Sequence, residues 1–228
     1  MRGAEVLVAV CADGAGSAQH GGAGARVACH TLLAEIEKLL AGPIPLTARK
    51  KSAAVLGKTA IRRAFVHVAA ELRAEAAQLG VAPRELATTL LLAVLGPDSA
   101  GFAQVGDGVI VIRDKDAYQH VFWPARGEYA NTTDFATDEP LALRCTQLGA
   151  VDEVALMSDG LQVLALDYAA QAAHPPFFAG LFSEMHRAPA PDRDLAEPLH
   201  RFLGSPAVQQ RTDDDVSLVL AVRDRVRS

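Results

Sequence analysis

Cysteine is scarce in this 228-residue chain: Cys11, Cys29 and Cys145 are odd in number and form no C-x-x-C pair. That excludes a disulfide framework and a thiolate zinc site, and the three read as reduced, buried residues. Long apolar runs are missing too. Nothing approaches the ~20 residues needed to cross a bilayer, and Glu5 interrupts the stretch where a secretory signal would be apolar. A cytoplasmic protein without membrane partners is expected. Positive charge is in deficit, with 22 Lys and Arg against 27 Asp and Glu and a net charge of -5. The chain offers no field for a nucleic-acid backbone, and the run Arg49-Lys50-Lys51 is too short to supply one.

Two motif classes are absent as well. Gly14-x-Gly16 is followed by Gly21, two residues too late for a dinucleotide fingerprint, and no G-K-[ST] marks a phosphate loop. Ser158 in "LMSDG" lacks the preceding glycine of a nucleophile elbow. Aromatic residues are few, and Phe65, Phe102, Trp123, Phe135, Phe177, Phe178 and Phe182 read as core or groove residues without assigned function.

Half of the residues are hydrophobic, enough to build the core of a single domain over 1–228. "EVLVAVCA" reads as a strand covered on both faces. Apolar residues at helical spacing (Val27, Leu32, Leu33, Ile36, Leu39, Leu40) predict a helix that Gly42-Pro43 stops, and a longer helical pattern runs from about Thr47 to Gly80. Four strand-like segments follow, "ATTLLLAVLG", "GFAQVGDGVIVIRD", "YQHVFWP" and "DEVALMSD", a meander that predicts antiparallel sheet. "GEYANTTDFATDEP" is polar and irregular. Helical patterns resume from Gly160 to Leu203, broken at "HPP" and "APAPD", and "DDDVSLVLAVRD" closes the chain as a strand introduced by acids. The order favours a layered α+β domain over repeated β-α-β units.

An acid stands at a strand end four times: Asp13 in "CADG", Asp107 in "VGDGV", Asp159 in "LMSDG" and Asp214 in "TDDDVSLVLAV". Taken singly, Asp-Gly is turn chemistry, and Asp107-Gly108 between alternating strands is a strong hairpin signal. Taken together, carboxylates whose strand ends converge repel one another unless a cation neutralises them. An oxygen-only donor set without His or Cys points to Mg²⁺ or Mn²⁺. On this reading the small residues beside the acids make room for ions and substrate.

In this order, "VAVCADGAGS", "ATTLLLAVL…FAQVGDGVIVIR", "ALMSDGL" and "TDDDVSLVLAV" resemble the type 2C family of metal-dependent serine/threonine protein phosphatases in its compact bacterial form. "GEYANTTDF" is similar to a segment of a bacterial subgroup. The resemblance implies an α-β-β-α four-layer sandwich, two antiparallel sheets flanked by helices. It also implies a two-metal site of Mn²⁺ or Mg²⁺, with Asp13 bridging the ions and the Gly14 carbonyl binding one. Asp159 and Asp214 would complete the other ion's ligands, acting in catalysis through the metals, and Asp107 would help hold a third ion, as in many bacterial members. Asp214 is preferred to Asp213 or Asp215 because Asp-x-Val-Ser matches the family pattern.

The implied reaction is hydrolysis of phosphoserine and phosphothreonine by metal-activated water, with a phosphoprotein substrate and a cognate Ser/Thr kinase as partners. Family members also carry, ahead of the first of these strands, a phosphate-binding Arg and a further metal-binding acid. Here Arg2 and Glu5 are the only residues placed to stand in, Ala15 replaces a His that can donate a proton, and His20 reads as a surface residue. A second reading follows: a phosphatase-like module that binds a phosphoprotein or regulates a kinase without turnover. A third is hydrolysis of a small phosphate ester.

Overall fold

A computed structural model describes residues 6–41, 56–124, 133–188 and 195–223. Arg2, Glu5, the basic run 49–51, the helical pattern over 47–55 and most of "APAPD" lie outside the described residues. The described elements begin with β1 (Leu7–Cys11), α1 (Gly21–Ala41) and α2 (Lys58–Leu79). Six strands follow: β2 (Leu90–Leu95), β3 (Ser99–Val105), β4 (Val109–Asp114), β5 (Ala117–His120), β6 (Arg144–Gly149) and β7 (Glu153–Met157). Then come α3 (Gln162–Ala165), the small pair β8 (Leu166–Asp167) and β9 (Ala172–Ala173), and α4 (Pro175–Arg187). The chain closes with α5 (Ala196–Leu203), α6 (Pro206–Gln209) and β10 (Leu218–Val222).

Two four-stranded antiparallel sheets result, ordered β1-β2-β3-β6 and β10-β7-β4-β5. The period-two side-chain alternation of β2 shows how they stack. Leu90, Leu92 and Val94 face a layer shared with Leu32 and Ile36 of α1 and Ile61, Phe65 and Leu72 of α2. Leu91, Ala93 and Leu95 face the other way, into a layer with Phe102, Ile110, Val154 and Leu156 between the sheets. The next face of the second sheet (Val109, Val111, Ala155, Met157) packs on Phe178 and Phe182 of α4. Helices, sheet, sheet and helices form the expected four layers. Each buried Leu or Phe contributes roughly 1.5–3 kcal/mol.

Several expectations need correction. "GFAQVGDGVIVIRD" is two strands in different sheets, so Asp107-Gly108 is a crossover between sheets and not a hairpin turn. β6, with its polar "RCTQLG", was not foreseen; as an edge strand it is only partly buried and lacks a clean alternation. The stretch from 160 to 203 is interrupted by β8 and β9. Leu33 and Leu39 of α1 are exposed despite their helical spacing. β10 starts at Leu218, so Asp214 lies in the loop ahead of it rather than at its first residue.

At the end of the sandwich where β7 begins, Glu153 is buried but fully partnered. Its Oε1 accepts from Arg113 Nη1 and faces His186 Nε2, both at 2.9 Å, and its Oε2 accepts from Tyr118 Oη at 3.0 Å. Burial pushes its pKa up, but the bonds from His186, Arg113 and Tyr118 outweigh this and hold it below the usual range. A depressed carboxyl stabilises the fold above its unfolded pKa, and that stability is lost as pH falls through the folded value. Glu153→Ala is expected to cost about 2 kcal/mol in urea denaturation at pH 7, since Arg113 and His186 can turn to water. The loss shrinks in acid.

Candidate metal centre

Strand register carries the four acids to one end of the sandwich. Met157 of β7 is paired with Val109 of β4 on one side and Leu218 of β10 on the other. Asp159, two residues beyond Met157, therefore lies level with Asp107, two before Val109, and near Asp214, four before Leu218. In the other sheet Cys11 pairs with Leu91, next to Leu90, which pairs with Val105. β1 thus ends, and Asp13 follows, at the same end as the crossover carrying Asp107. Asp13, Asp107, Asp159 and Asp214 line one cavity of about 160 Å³ with Thr89 and Thr133. An adjoining polar cleft of about 430 Å³ shares Asp13, Gly14 and Asp214 and adds Asp215. Asp214 borders both spaces, Asp215 only the second and Asp213 neither.

Backbone bonds hold these acids in place. The Asp13 N–H donates to Thr89 Oγ1 at 3.1 Å, and its carbonyl accepts from the Thr89 N–H and Thr88 Oγ1, each at 2.8 Å. Ser158, set aside above as a nucleophile, ties two acid-bearing segments together. Its Oγ accepts from the Ser217 N–H at 3.0 Å and donates to the Asp215 carbonyl at 3.2 Å. Asp214 Oδ1 accepts from the Asp215 N–H at 2.9 Å, which shapes the loop. Neither Ser158 nor Thr88 and Thr89 was selected from sequence; the signal was a hydroxyl next to an Asp-Gly and a Thr pair opening a strand.

The glycines next to Asp13 and Asp159 are also required by close backbone neighbours. A Cβ on Gly14 would come within 2.2 Å of the Gly21 carbonyl carbon, because α1 begins against it. On Gly160 it would come within 2.4 Å of the Asp215 carbonyl oxygen. They admit neighbouring backbone, which in turn brings the acids together. His20 does not line the acid cavity, whereas Ala15 does. Cys11 is buried, which pushes its thiol up to about 12 and leaves it inert.

The convergence is electrostatically costly. Asp13 is pushed up to about 7, first by burial and then by the carboxylates of Asp159, Asp214 and Asp215. Asp159 is raised by burial and by Asp107 and Asp214, partly offset by the Gly160 N–H and a hydrogen bond with Asp13. Among the described residues no three His, Cys, Asp or Glu side chains stand at ligand spacing. The carboxylates ring the cavity without closing on a point. An all-oxygen set of like charges, one of them holding a proton near neutrality, fits a hard divalent cation that would displace that proton.

A sequence profile described as protein phosphatase 2C matches residues 2–204. The chain belongs to the protein phosphatase 2C family. It is 38% identical over 222 residues to serine/threonine-protein phosphatase 3 of Escherichia coli (strain K12), covering 95% of this chain and 84% of that protein. Its fold is similar to that of the serine/threonine phosphatase Stp1 from Staphylococcus aureus, at TM-score 0.62 and 14% identity over 97% of this chain and 88% of that one. It is also similar to the catalytic domain of the serine/threonine protein phosphatase PstP in complex with 2 manganese ions. That match has TM-score 0.55 and 16% identity over 97% and 89% of the two chains. Among the described residues of this phosphatase 2C chain, no helix is long and apolar enough to cross a membrane.

Two outcomes test the centre. Asp13→Asn is expected to stabilise the metal-free protein at pH 8 by about 1–2 kcal/mol, the shift of its pKa discounted for solvent screening in an open cleft. A raised carboxyl favours the fold below its unfolded pKa and loses that advantage as pH rises through 7, so the gain fades toward pH 4, as thermal melts in chelator would report. Gly160→Ala displaces the Asp215 backbone and is expected to weaken Mn²⁺ binding by tenfold or more in calorimetry, while circular dichroism stays native-like.

Proposed function

We propose that this protein hydrolyses phosphoserine and phosphothreonine in protein substrates, using two bound Mn²⁺ or Mg²⁺ ions. The observation that carries the reading is the convergence of Asp13, Asp107, Asp159 and Asp214 on one cavity, where burial and then the neighbouring carboxylates push Asp13 up to about 7. Asp13, the Gly14 carbonyl, Asp159 and Asp214 would hold the ions, with Asp107 at the margin. When bound, such ions lower the pKa of a coordinated water and neutralise charge on the phosphoryl oxygens. The chain's own contribution is to hold the carboxylates: Thr88 and Thr89 fix the Asp13 backbone, and Ser158 links the Asp159 segment to the loop bearing Asp214. The two connected clefts leave the acids open to a phosphate carried on an exposed peptide.

The manganese-bound PstP domain supports metal dependence by family likeness, and the Escherichia coli relative supports a serine/threonine substrate. A cytoplasmic location with a Ser/Thr kinase as functional counterpart, and a single domain over 1–228, complete the reading. The second reading is a module that binds phosphoprotein without turnover.

Hydrolysis of a phosphothreonine peptide should require Mn²⁺ or Mg²⁺ and vanish with chelator. Asp159→Asn should lower kcat by at least about a hundredfold with the fold intact. Phosphopeptide binding at saturating Mn²⁺ without phosphate release would instead support the module.

A further inference from the structure

The spacing of two of the acids is not set by strand pairing alone. The ladder between β4 and β7 ends at the Val109–Met157 pair, so Asp107 and Asp159, each two residues beyond it, lie past the last bonds that join those strands. A side chain takes over. Gln162, the first residue of α3 and three positions after Asp159, donates from Nε2 to the Asp107 carbonyl at 2.7 Å. It ties the segment carrying one acid to the residue bearing the other, as Ser158 ties that segment to the loop bearing Asp214.

The Gln162 amide is itself oriented. A glutamine can present either its oxygen or its nitrogen, and only the nitrogen donates to a carbonyl. Tyr168 Oη donates to Gln162 Oε1, which leaves Nε2 to face Asp107. Tyr168 stands in the turn between β8 and β9, where Asp167 Oδ1 accepts from the Ala169 and Ala170 N–H groups, each at 3.0 Å. The Trp123 ring meets the Tyr168 ring edge-on, with centroids 5.6 Å apart. The small hairpin that interrupts the helical stretch thus presents a hydroxyl to Gln162. Gln104 Nε2 also holds the crossover, through the carbonyls of Gly106 and Gly108, and Thr133 Oγ1 donates to Asp107 Oδ2 at 2.6 Å. Of these three side chains only Gln162 comes from the Asp159 segment.

Resting on the phosphatase reading above, we propose that Gln162, oriented by Tyr168, is a positioning residue for the metal centre. It sets the separation of Asp107 from Asp159, and through it the affinity with which the acids hold divalent ions. A carboxylate whose backbone is already in place takes an ion without first losing conformational freedom. A loosened one loses that freedom on binding, and affinity falls accordingly.

The test is the Mn²⁺ affinity of the full chain by calorimetry, which needs no turnover. Gln162→Met keeps the length, removes the donor and should weaken Mn²⁺ binding about tenfold. Tyr168→Phe removes only the orienting hydroxyl and should weaken it about threefold. Added to Gln162→Met it should cost nothing further, because the two residues act through one bond. Gln147→Met is the control for a merely structural loss. It deletes a comparable bond, from Gln147 Nε2 to the Leu56 carbonyl at 2.6 Å, on the edge strand β6, and should leave Mn²⁺ affinity within about twofold of wild type. Wild-type affinity in Gln162→Met overturns the proposal, as do losses in the two variants that add, or a loss in Gln147→Met equal to that in Gln162→Met. Should Gln162→Met not fold, Tyr168→Phe is set against Gln147→Met, and equal affinities overturn the proposal. A wild type that binds Mn²⁺ yet releases no phosphate from a phosphothreonine peptide overturns the phosphatase reading, while the affinities still judge Gln162. A wild type that binds no Mn²⁺ overturns both.

Discussion

Mutual repulsion among carboxylates, enforced by strand register, is the constraint on which the rest of this molecule depends. Asp13, Asp107, Asp159 and Asp214 come from opposite ends of the sequence and would separate if free. The two sheets prevent this, because the pairing that aligns Val109, Met157 and Leu218 in one row leaves the loops beyond them nowhere else to go. The apolar layers on both faces of each sheet offset the cost. Stability made at the centre of the sandwich is used at its end to hold a strained charge distribution, the usual condition of a functional site.

Glu153 provides an internal control. It too is a buried acid, but Arg113, His186 and Tyr118 satisfy both of its oxygens, and its pKa falls. Asp13 has backbone support, and burial followed by the carboxylates of Asp159, Asp214 and Asp215 makes its pKa rise. The two ends of one sandwich thus show a carboxylate completed by the protein and a carboxylate left to be completed by something else. Asp107 lies between these cases, with Thr133 on its carboxylate.

Much of this was legible in the chain itself. The α+β class, the helix pair after the first strand and the acids Asp13, Asp107 and Asp159 beside strand ends followed from periodicity, turn residues and order, whereas Asp214 sits in the loop four residues before β10. What escaped was whatever depends on a distant partner. "VGDGV" has the local chemistry of a hairpin, and only the placement of β3 and β4 in separate sheets makes it a crossover. β6 carries a polar edge sequence that gains strand structure by pairing with β3. That Gly14 and Gly160 admit the Gly21 and Asp215 backbones is visible only in space. Ser158 and Thr133 carry no motif, because their roles come from hydrogen bonds to residues 26 to 59 positions away.

The sequence alone determined the chemical inventory: oxygen donors without thiolate or imidazole, enough apolar residues for layered sheets, and acids set where strands stop. Those are properties of residue type and short-range spacing. Tertiary structure decided which acids share a cavity, that Asp214 rather than Asp213 borders it, and which side chains brace Asp107. Such relations depend on register and on packing across the sandwich. Neither is written in any local stretch of chain, since both arise only when strands remote in sequence exchange hydrogen bonds.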